Sequence, residues 1–165
     1  MRIAVISDTH LQVPSAGLLR VFERHLSGAD ALLHCGDIVG EAVLDLLHSH
    51  PSFHGVRGNM DCGPVAAHLP LTKVVTLSGL RIGMVHNPGQ ILSSLGTGAS
   101  DLFPAPLDLV CCGHIHQRMW METAAGIPLL NPGSLAAPRD GLPGLAMVGW
   151  DGKRISLEWI DYSFE

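Results

Sequence analysis

The chain has 165 residues, of which 47% are hydrophobic and 15% are charged, and its formal net charge is −5. A chain of this length and hydrophobicity can bury a core, which excludes an intrinsically disordered protein. The acidic balance argues against electrostatic capture of nucleic acid or of an anionic membrane surface. The length predicts one domain over residues 1–165.

Short apolar strands and amphipathic helices alternate over the first 60 residues. Strands are predicted over 3–6, 31–35 and 53–57. Ser15 is the expected cap of the first helix, and a second helix ends near His50 and Pro51. This strand–helix–strand–helix–strand order predicts a largely parallel sheet with helical crossovers.

The rest of the chain is predicted to be mostly strands. The predicted elements are a hairpin over 73–77 and 80–85, an irregular segment over 87–106 with a short helix at 91–95, a strand over 107–112, and a closing strand over 155–160. The closing strand alternates with period two, as expected for an exposed antiparallel strand. The whole pattern indicates an α/β fold with mixed sheets.

The cysteines and the apolar runs suggest where the protein works. No two of the four cysteines form a CxxC pair, and Cys111 and Cys112 lie inside an apolar run, as expected for buried thiols in a reducing cytoplasm. The first apolar run is too short for a signal peptide. No apolar run approaches the roughly 18 residues that a membrane helix needs. We therefore expect a cytoplasmic protein without a membrane partner.

Polar side chains follow five of the predicted strands at the point where each strand ends. They are Asp8, His10, Asp37, Asn59, His86, His114 and His116. Each short motif is weak evidence alone, but ligands of open α/β sheets bind outside the carboxyl ends of the strands. Residues two apart on extended chain point the same way, so each pair at 8 and 10 and at 114 and 116 is expected to converge on one metal or on two neighbouring metals.

These side chains offer oxygen and nitrogen donors without a thiolate. Such donors suit hard or borderline divalent ions, and seven are too many for one ion. We predict two divalent ions, with Mn²⁺ the first candidate and Fe²⁺, Zn²⁺ and Ni²⁺ as alternatives. The shared ligand should be a carboxylate that can bridge, and Asp37 is the natural candidate.

The motifs, in this order, resemble those of the calcineurin-like metallophosphoesterase family, in particular its small single-domain bacterial and archaeal branch. The matching pieces are SDTH at 7–10, GDIVG at 36–40, GNMD at 58–61, His86, GHIH at 113–116 and NPGS at 131–134. The resemblance implies an αββα four-layer sandwich, with two mixed β-sheets face to face and helices outside.

The resemblance also implies ligand roles. The first metal would be held by Asp8, His10 and His116, the second by Asn59, His86 and His114, and Asp37 would bridge both. Asn59 would also touch the substrate phosphate, and His10 is a candidate proton donor. The implied function is a metal-dependent phosphoesterase, and above all a phosphodiesterase of small substrates, in which a metal-bridging hydroxide attacks phosphorus in line.

The sequence departs from the family pattern at two places. Many family phosphatases carry a general-acid His after the Asn of the GN motif, where this chain has Met60, which cannot transfer a proton. Leaving groups of high pKa should then leave slowly unless His10 or a metal-bound water helps. The Gly that commonly follows the family His is replaced by Asn87 and Pro88, which alters the loop beside the second metal.

Five further residues have a structural interpretation, and for some of them a functional one is equally open. Asp61 either accepts the ring N–H of His10 or of another ligand, or caps backbone groups. Arg139 either contacts a phosphate oxygen or pairs with an acid such as Asp140. His34 is predicted to be a core histidine with satisfied hydrogen bonds, and Ser134, with Asn131, is predicted to fix a turn near the site.

Two other functions stay open at this point. One is a non-catalytic protein-interaction scaffold of the same fold, similar to the small retromer subunit. The other is a nuclease related to larger family members, which the acidic charge and the lack of an accessory domain disfavour. The high apolar content also suggests a homo-oligomer.

Overall fold

Two mixed β-sheets, each of five strands, form the part of the chain that the structure describes, a computed structural model covering residues 1–89, 102–103 and 106–162. The first sheet, in order, contains β10 (Ile155–Asp161), β9 (Gly144–Trp150), β1 (Arg2–Ile6), β2 (Ala31–His34) and β3 (Phe53–Gly55). The second contains β4 (Thr72–Leu77), β5 (Leu80–Val85), β6 (Leu109–Cys111), β8 (Pro128–Pro132) and β7 (Arg118–Glu122).

The first three strands are parallel, as the alternating sequence pattern predicts. Ile3 lies opposite Ala31 in the β1–β2 ladder, and Leu32 lies opposite Phe53 in the β2–β3 ladder. Because parallel strands run the same way, the segments that follow them emerge at one edge of the sheet. Strands β5, β6 and β8 are also mutually parallel, whereas β4 and β7 are antiparallel to their neighbours.

Three helices connect these strands in the described residues. The first, α1 (Ala16–Val21), continues as a π-helical turn over Phe22–Leu26, and Ser15 caps it by accepting the Leu18 N–H at 3.1 Å. The second is α2 (Glu41–His48). The third, α3 (Gly63–His68), has a single buried side chain, so it carries too little periodicity to be predicted. No helix in the described ranges is long and apolar enough to cross a membrane.

The two sheets pack face to face, which confirms the predicted sandwich. One core lies between them and includes Val5 and Leu33 of the first sheet with Ile82 and Met84 of the second. A second core joins the outer face of the first sheet to the helices. Phe103 and Leu107 pack against the outer face of the second sheet. The helix predicted at 91–95 lies outside the described residues.

Candidate metal centre

The polar residues predicted at five strand ends meet at one place, where the two sheets adjoin. The contacts that join them cross between distant segments, such as His86 to Asn59 and His116 to Asp8. We call the set Asp8, His10 and His116 the first group, and the set Asn59, His86 and His114 the second group. Asp37 lies between the two groups.

The first group brings three possible ligand atoms within 3.6 Å of one another. Asp8 Oδ1 lies 3.1 Å from His116 Nε2 and 3.6 Å from His10 Nε2, and the two Nε2 atoms are 3.1 Å apart. His116 Nδ1 donates to the Ala137 carbonyl at 2.8 Å, so in the neutral ring the Nε2 atom carries the lone pair. Such a pairing of imidazole N–H with a carbonyl is typical of metal-ligating histidines.

Asp8 gives the clearest sign that these residues suit a cation. Its Oδ2 atom accepts hydrogen bonds from the Ser7 hydroxyl at 2.6 Å and from the His114 N–H at 3.0 Å. Its Oδ1 atom is fully buried and has no hydrogen-bond donor. A buried carboxylate oxygen without a donor is costly, and a divalent cation among these atoms would remove that cost.

The second group repeats this arrangement. Asn59 Oδ1 lies 3.0 Å from His86 Nε2 and 2.9 Å from His114 Nδ1. His86 Nδ1 donates to the Cys35 carbonyl at 2.7 Å, which leaves the lone pair of the neutral ring on Nε2. An amide oxygen and two imidazole nitrogens therefore face one another, and these donors suit a borderline divalent metal.

Asp37 faces both groups through one oxygen. Its Oδ2 atom lies 3.3 Å from His86 Nε2 and 3.7 Å from His10 Nε2, while Oδ1 accepts the Met60 N–H at 2.7 Å. Burial would raise the pKa of Asp37, but the contacts with His86 and the Met60 N–H outweigh it and lower the pKa. The carboxylate is thus ionised and placed where a shared ligand would have to be.

Asp8 also lies close to His86 of the second group. Ligand atoms of Asp8, Asp37 and His86 all lie within 4.8 Å of one another, as do those of Asp8, His10 and His116. The sequence suggested Asp37 as the shared carboxylate, and the structure adds Asp8 as a second residue close to both positions.

The backbone of the site is strained in a way that the sequence did not reveal. Five of the seven residues have positive φ angles between 48° and 72°, namely Asp8, His10, Asp37, His114 and His116. The left-handed conformation is unfavourable for residues with a Cβ, and such strain concentrates at functional sites. The expectation of extended chain at 8–10 and 114–116 is therefore wrong, and His114 faces the second group while His116 faces the first.

Asp61 anchors two loops of the site through their backbone. Its Oδ2 atom accepts the N–H groups of Asp37 at 3.1 Å and Gly58 at 2.8 Å, and its Oδ1 atom accepts that of Val39 at 2.8 Å. Among the residues that the structure describes, no histidine ring donates to this carboxylate, so of the two readings of Asp61 the structure shows the capping one. Through these bonds Asp61 fixes the position of Asp37.

Ser134 and Asn131 hold the neighbouring loops, as predicted. The Ser134 hydroxyl donates to the Asp8 carbonyl at 2.8 Å and accepts the Ala137 N–H at 2.9 Å. The Asn131 side-chain N–H donates to the Gly113 carbonyl at 2.6 Å. The segment after β8 therefore fixes the loops that carry Asp8 and the two histidines of GHIH.

His34 is a satisfied core histidine, as predicted. Its Nδ1 atom accepts the Gly36 N–H at 3.1 Å, so Nε2 carries the proton and donates to the Thr9 hydroxyl at 2.7 Å. Complete burial, followed by the charge of His86, lowers the pKa of His34 from 6.5 to about 3. The ring is therefore neutral in the folded protein.

This shift predicts how His34 links stability to pH. Below pH 6.5 the unfolded chain binds a proton that the folded His34 does not bind until about pH 3, so the free energy of unfolding should fall as the pH falls through this window. Between pH 7.5 and 5.5 the loss due to His34 should be about 1.4 kcal/mol. We expect urea unfolding in excess chelator to show a pH dependence smaller by this amount in His34→Gln. An equal pH dependence in the two proteins would contradict the assignment.

The two arginines near the site differ in position. Arg139 is exposed, and its backbone N–H donates to the His116 carbonyl at 2.9 Å. Asp140 accepts the Arg118 N–H, and in the described part of the chain no ion pair joins it to Arg139. Arg57, which the sequence pattern placed at the end of the third strand, lines a cleft of about 200 Å³ together with Asn59, His86 and His114. No pattern in the sequence indicates this position of Arg57 beside the second group.

Comparison with known proteins identifies relatives along almost the whole chain. The family model of the calcineurin-like phosphoesterase superfamily domain matches residues 1–153. A probable metallophosphoesterase of Methanocaldococcus jannaschii is 30% identical over 156 residues, which are 93% of this chain and 78% of the relative.

Solved structures share the fold. A structure described as a novel archaeal phosphodiesterase superimposes with a TM-score of 0.72 at 20% identity, covering 97% of this chain and 100% of that chain. Vps29 of Entamoeba histolytica, solved in complex with Zn²⁺, superimposes with a TM-score of 0.69 at 21% identity, covering both chains completely at 100%.

Proposed function

The chain belongs to the calcineurin-like phosphoesterase superfamily, and on that premise we propose that it is a dinuclear metal-dependent phosphodiesterase. The observation that carries the proposal is the pair of converging donor groups on either side of Asp37, with the buried Asp8 Oδ1 atom left without a donor. The archaeal phosphodiesterase of the same fold also supports it.

The residues of the site divide the work of holding the ions and the substrate. Two divalent cations, with Mn²⁺ our first candidate, would supply Lewis acidity and a water acidic enough to act as a nucleophile at neutral pH. The first and second groups would each hold one ion, and Asp37 would contact both. The Asn59 amide N–H would donate to a phosphate oxygen, and Arg139 is a further candidate contact for the phosphate.

The preference for diesters with good leaving groups follows from the residue after Asn59. Met60 is 55% exposed and presents a thioether that cannot protonate a departing alkoxide. Its backbone N–H is used to hold Asp37. His10, whose side chain is 25% exposed, is the candidate that remains for proton transfer in the first group.

Restoring a histidine at position 60 should change the dependence on the leaving group. In Met60→His the new imidazole can protonate the departing oxygen, and general acid catalysis contributes about 10²–10⁴-fold. We expect turnover to rise for aryl phosphates with leaving groups of high pKa and to change little for p-nitrophenyl phosphate. The slope of log kcat/KM against leaving-group pKa should therefore flatten. Met60→Leu is the control, and equal slopes in the two variants would contradict the role given to position 60.

The experiment that tests the proposed function compares two chromogenic esters. The protein is stripped of metal and reloaded with Mn²⁺, Ni²⁺, Zn²⁺ or Mg²⁺, and bis-p-nitrophenyl phosphate is assayed beside p-nitrophenyl phosphate. We expect metal-dependent hydrolysis in which the diester is turned over faster than the monoester. Absence of turnover with every metal, in protein shown to contain metal, would overturn the proposal.

A protein-interaction scaffold is the second candidate function. The likeness to Vps29 supports it, as do two exposed apolar side chains on the edge strand β7, Trp120 and Met121. These side chains would suit a protein partner or a second copy of the chain. We favour the enzyme because every donor of the two groups is present, and we propose a small phosphoester as its substrate and the cytoplasm as its location. The nuclease alternative is disfavoured by the net charge of −5.

A further inference from the structure

The cleft beside the second group contains a positive charge that the metal centre does not use. Arg57 follows β3 closely and precedes Asn59 by two residues, and its backbone N–H donates to the Pro70 carbonyl at 2.8 Å. This bond fixes the start of the loop that carries Asn59. Arg57 lines the cleft of about 200 Å³ that Asn59, His86 and His114 also line.

The walls of the cleft differ in chemistry. Beside Arg57 lies Leu71, which is 61% exposed, and Asn87 belongs to the lining that continues from His86. Among the residues that the structure describes, no carboxylate lies within ion-pair distance of Arg57. The cleft thus combines an uncompensated guanidinium with an apolar surface, directly beside the donors of the second group.

We infer that Arg57 binds the phosphoryl group of the substrate from the side of the second group, and that Leu71 contacts the organic part next to it. The inference rests on the proposed function, because it names a residue that would bind the substrate of that site. A guanidinium has a planar set of N–H donors that matches two oxygens of a phosphate. Arg57 therefore supplies directional contacts that a metal ion alone does not supply.

The position of Arg57 favours it over the arginine that the sequence suggested. Arg139 is tied through its backbone to His116 of the first group and is absent from the lining of the cleft. Arg57 lines the cleft with Asn59, the residue proposed to touch the phosphate. A substrate held by Asn59 would meet Arg57 within the same cleft.

The test compares Arg57→Met and Arg57→Lys with the control Arg24→Met, which makes the same change at an exposed arginine in the turn after α1. Affinity for inorganic phosphate is measured by calorimetry on metal-loaded protein, and KM and kcat are measured with bis-p-nitrophenyl phosphate. We expect Arg57→Met to weaken phosphate binding about 10–100-fold and to raise KM more than it lowers kcat, because a hydrogen bond to a charged group is lost. Arg57→Lys should lie between, and metal content should not change.

The phosphate measurement separates failure of this inference from failure of the proposed function. Unchanged phosphate affinity in Arg57→Met, in protein that still hydrolyses the diester, would overturn the role of Arg57 and leave the function intact. If Arg57→Met binds phosphate more weakly than wild type but the wild-type protein hydrolyses neither ester, the proposed function is overturned. Arg57 then remains an anion-binding residue. If Arg57→Met fails to fold, Arg57→Lys decides, since a phosphate affinity equal to that of wild type would contradict the inference.

Discussion

Replacing Asp37 with Asn is expected to reduce phosphoester hydrolysis to background and to prevent loading of at least one metal ion. Asp37 Oδ2 lies 3.3 Å from His86 Nε2 and 3.7 Å from His10 Nε2, so one oxygen serves both groups. The substitution keeps the size and shape of the side chain and removes its negative charge. Metal affinity should fall by more than about a hundredfold. That figure is the upper end of the loss when a residue that only orients a metal ligand is removed, and Asp37 is itself a proposed ligand.

Asp45→Asn is the matched control for this substitution. Asp45 is an exposed carboxylate on α2, away from the two groups, so the same chemical change should leave metal content and turnover at wild-type values. Metal content is measured by mass spectrometry of the dialysed proteins, and turnover with bis-p-nitrophenyl phosphate. Full metal content together with wild-type turnover in Asp37→Asn would contradict the central position of Asp37.

Asp61→Ala is expected to have the largest effect on stability and to weaken metal binding without removing a ligand. The substitution leaves the N–H groups of Asp37, Val39 and Gly58 without their acceptor. An unsatisfied buried donor costs about 1–3 kcal/mol, so the free energy of unfolding should fall by about 3 kcal/mol or more. Because Asp37 then loses its anchor, metal affinity should fall by about 10–100-fold.

Two further variants make the Asp61 measurement specific. Asp61→Asn keeps one acceptor oxygen and should recover part of both losses. Asp30→Ala removes a carboxylate that accepts a single exposed N–H, from Arg2, and should cost much less stability. Denaturant unfolding and calorimetric metal titration measure the two effects. If Asp61→Ala were as stable as Asp30→Ala and bound metal like wild type, the anchoring role would be wrong.

The composition of the site could be predicted because strand ends are visible in a sequence. Apolar runs at 3–6, 31–35 and 107–112 are each followed directly by polar residues, and parallel strands bring their carboxyl ends to one edge. The hairpin predicted over 73–77 and 80–85 is confirmed as β4 and β5, because two runs of strand-forming residues flank the turn at Ser78 and Gly79. Local patterns of this kind predict the strands and helices, and they predict which donor residues follow each strand.

The detailed geometry could not be predicted because it depends on contacts between distant segments. The left-handed backbone of Asp8 and Asp37 could not be assigned from residue type, because Asp adopts that conformation more often than most residues but only at a minority of its positions. The sequence also could not show that a Cβ at Gly58 would lie 2.0 Å from Asp37 Oδ1, which explains the glycine there. For the same reason the sequence is compatible with two roles for Asp61 and places Arg57 only at the end of a strand.

The measurement that tests the account most directly is the number of metal ions bound by each chain. Metal-free protein is titrated with Mn²⁺ in a calorimeter, and the metal content of the dialysed product is measured independently. Two donor groups that share Asp37 predict about two ions per chain in wild type. A single ion per chain or none at saturating Mn²⁺, with the same result for Zn²⁺ and Ni²⁺, would contradict the dinuclear centre.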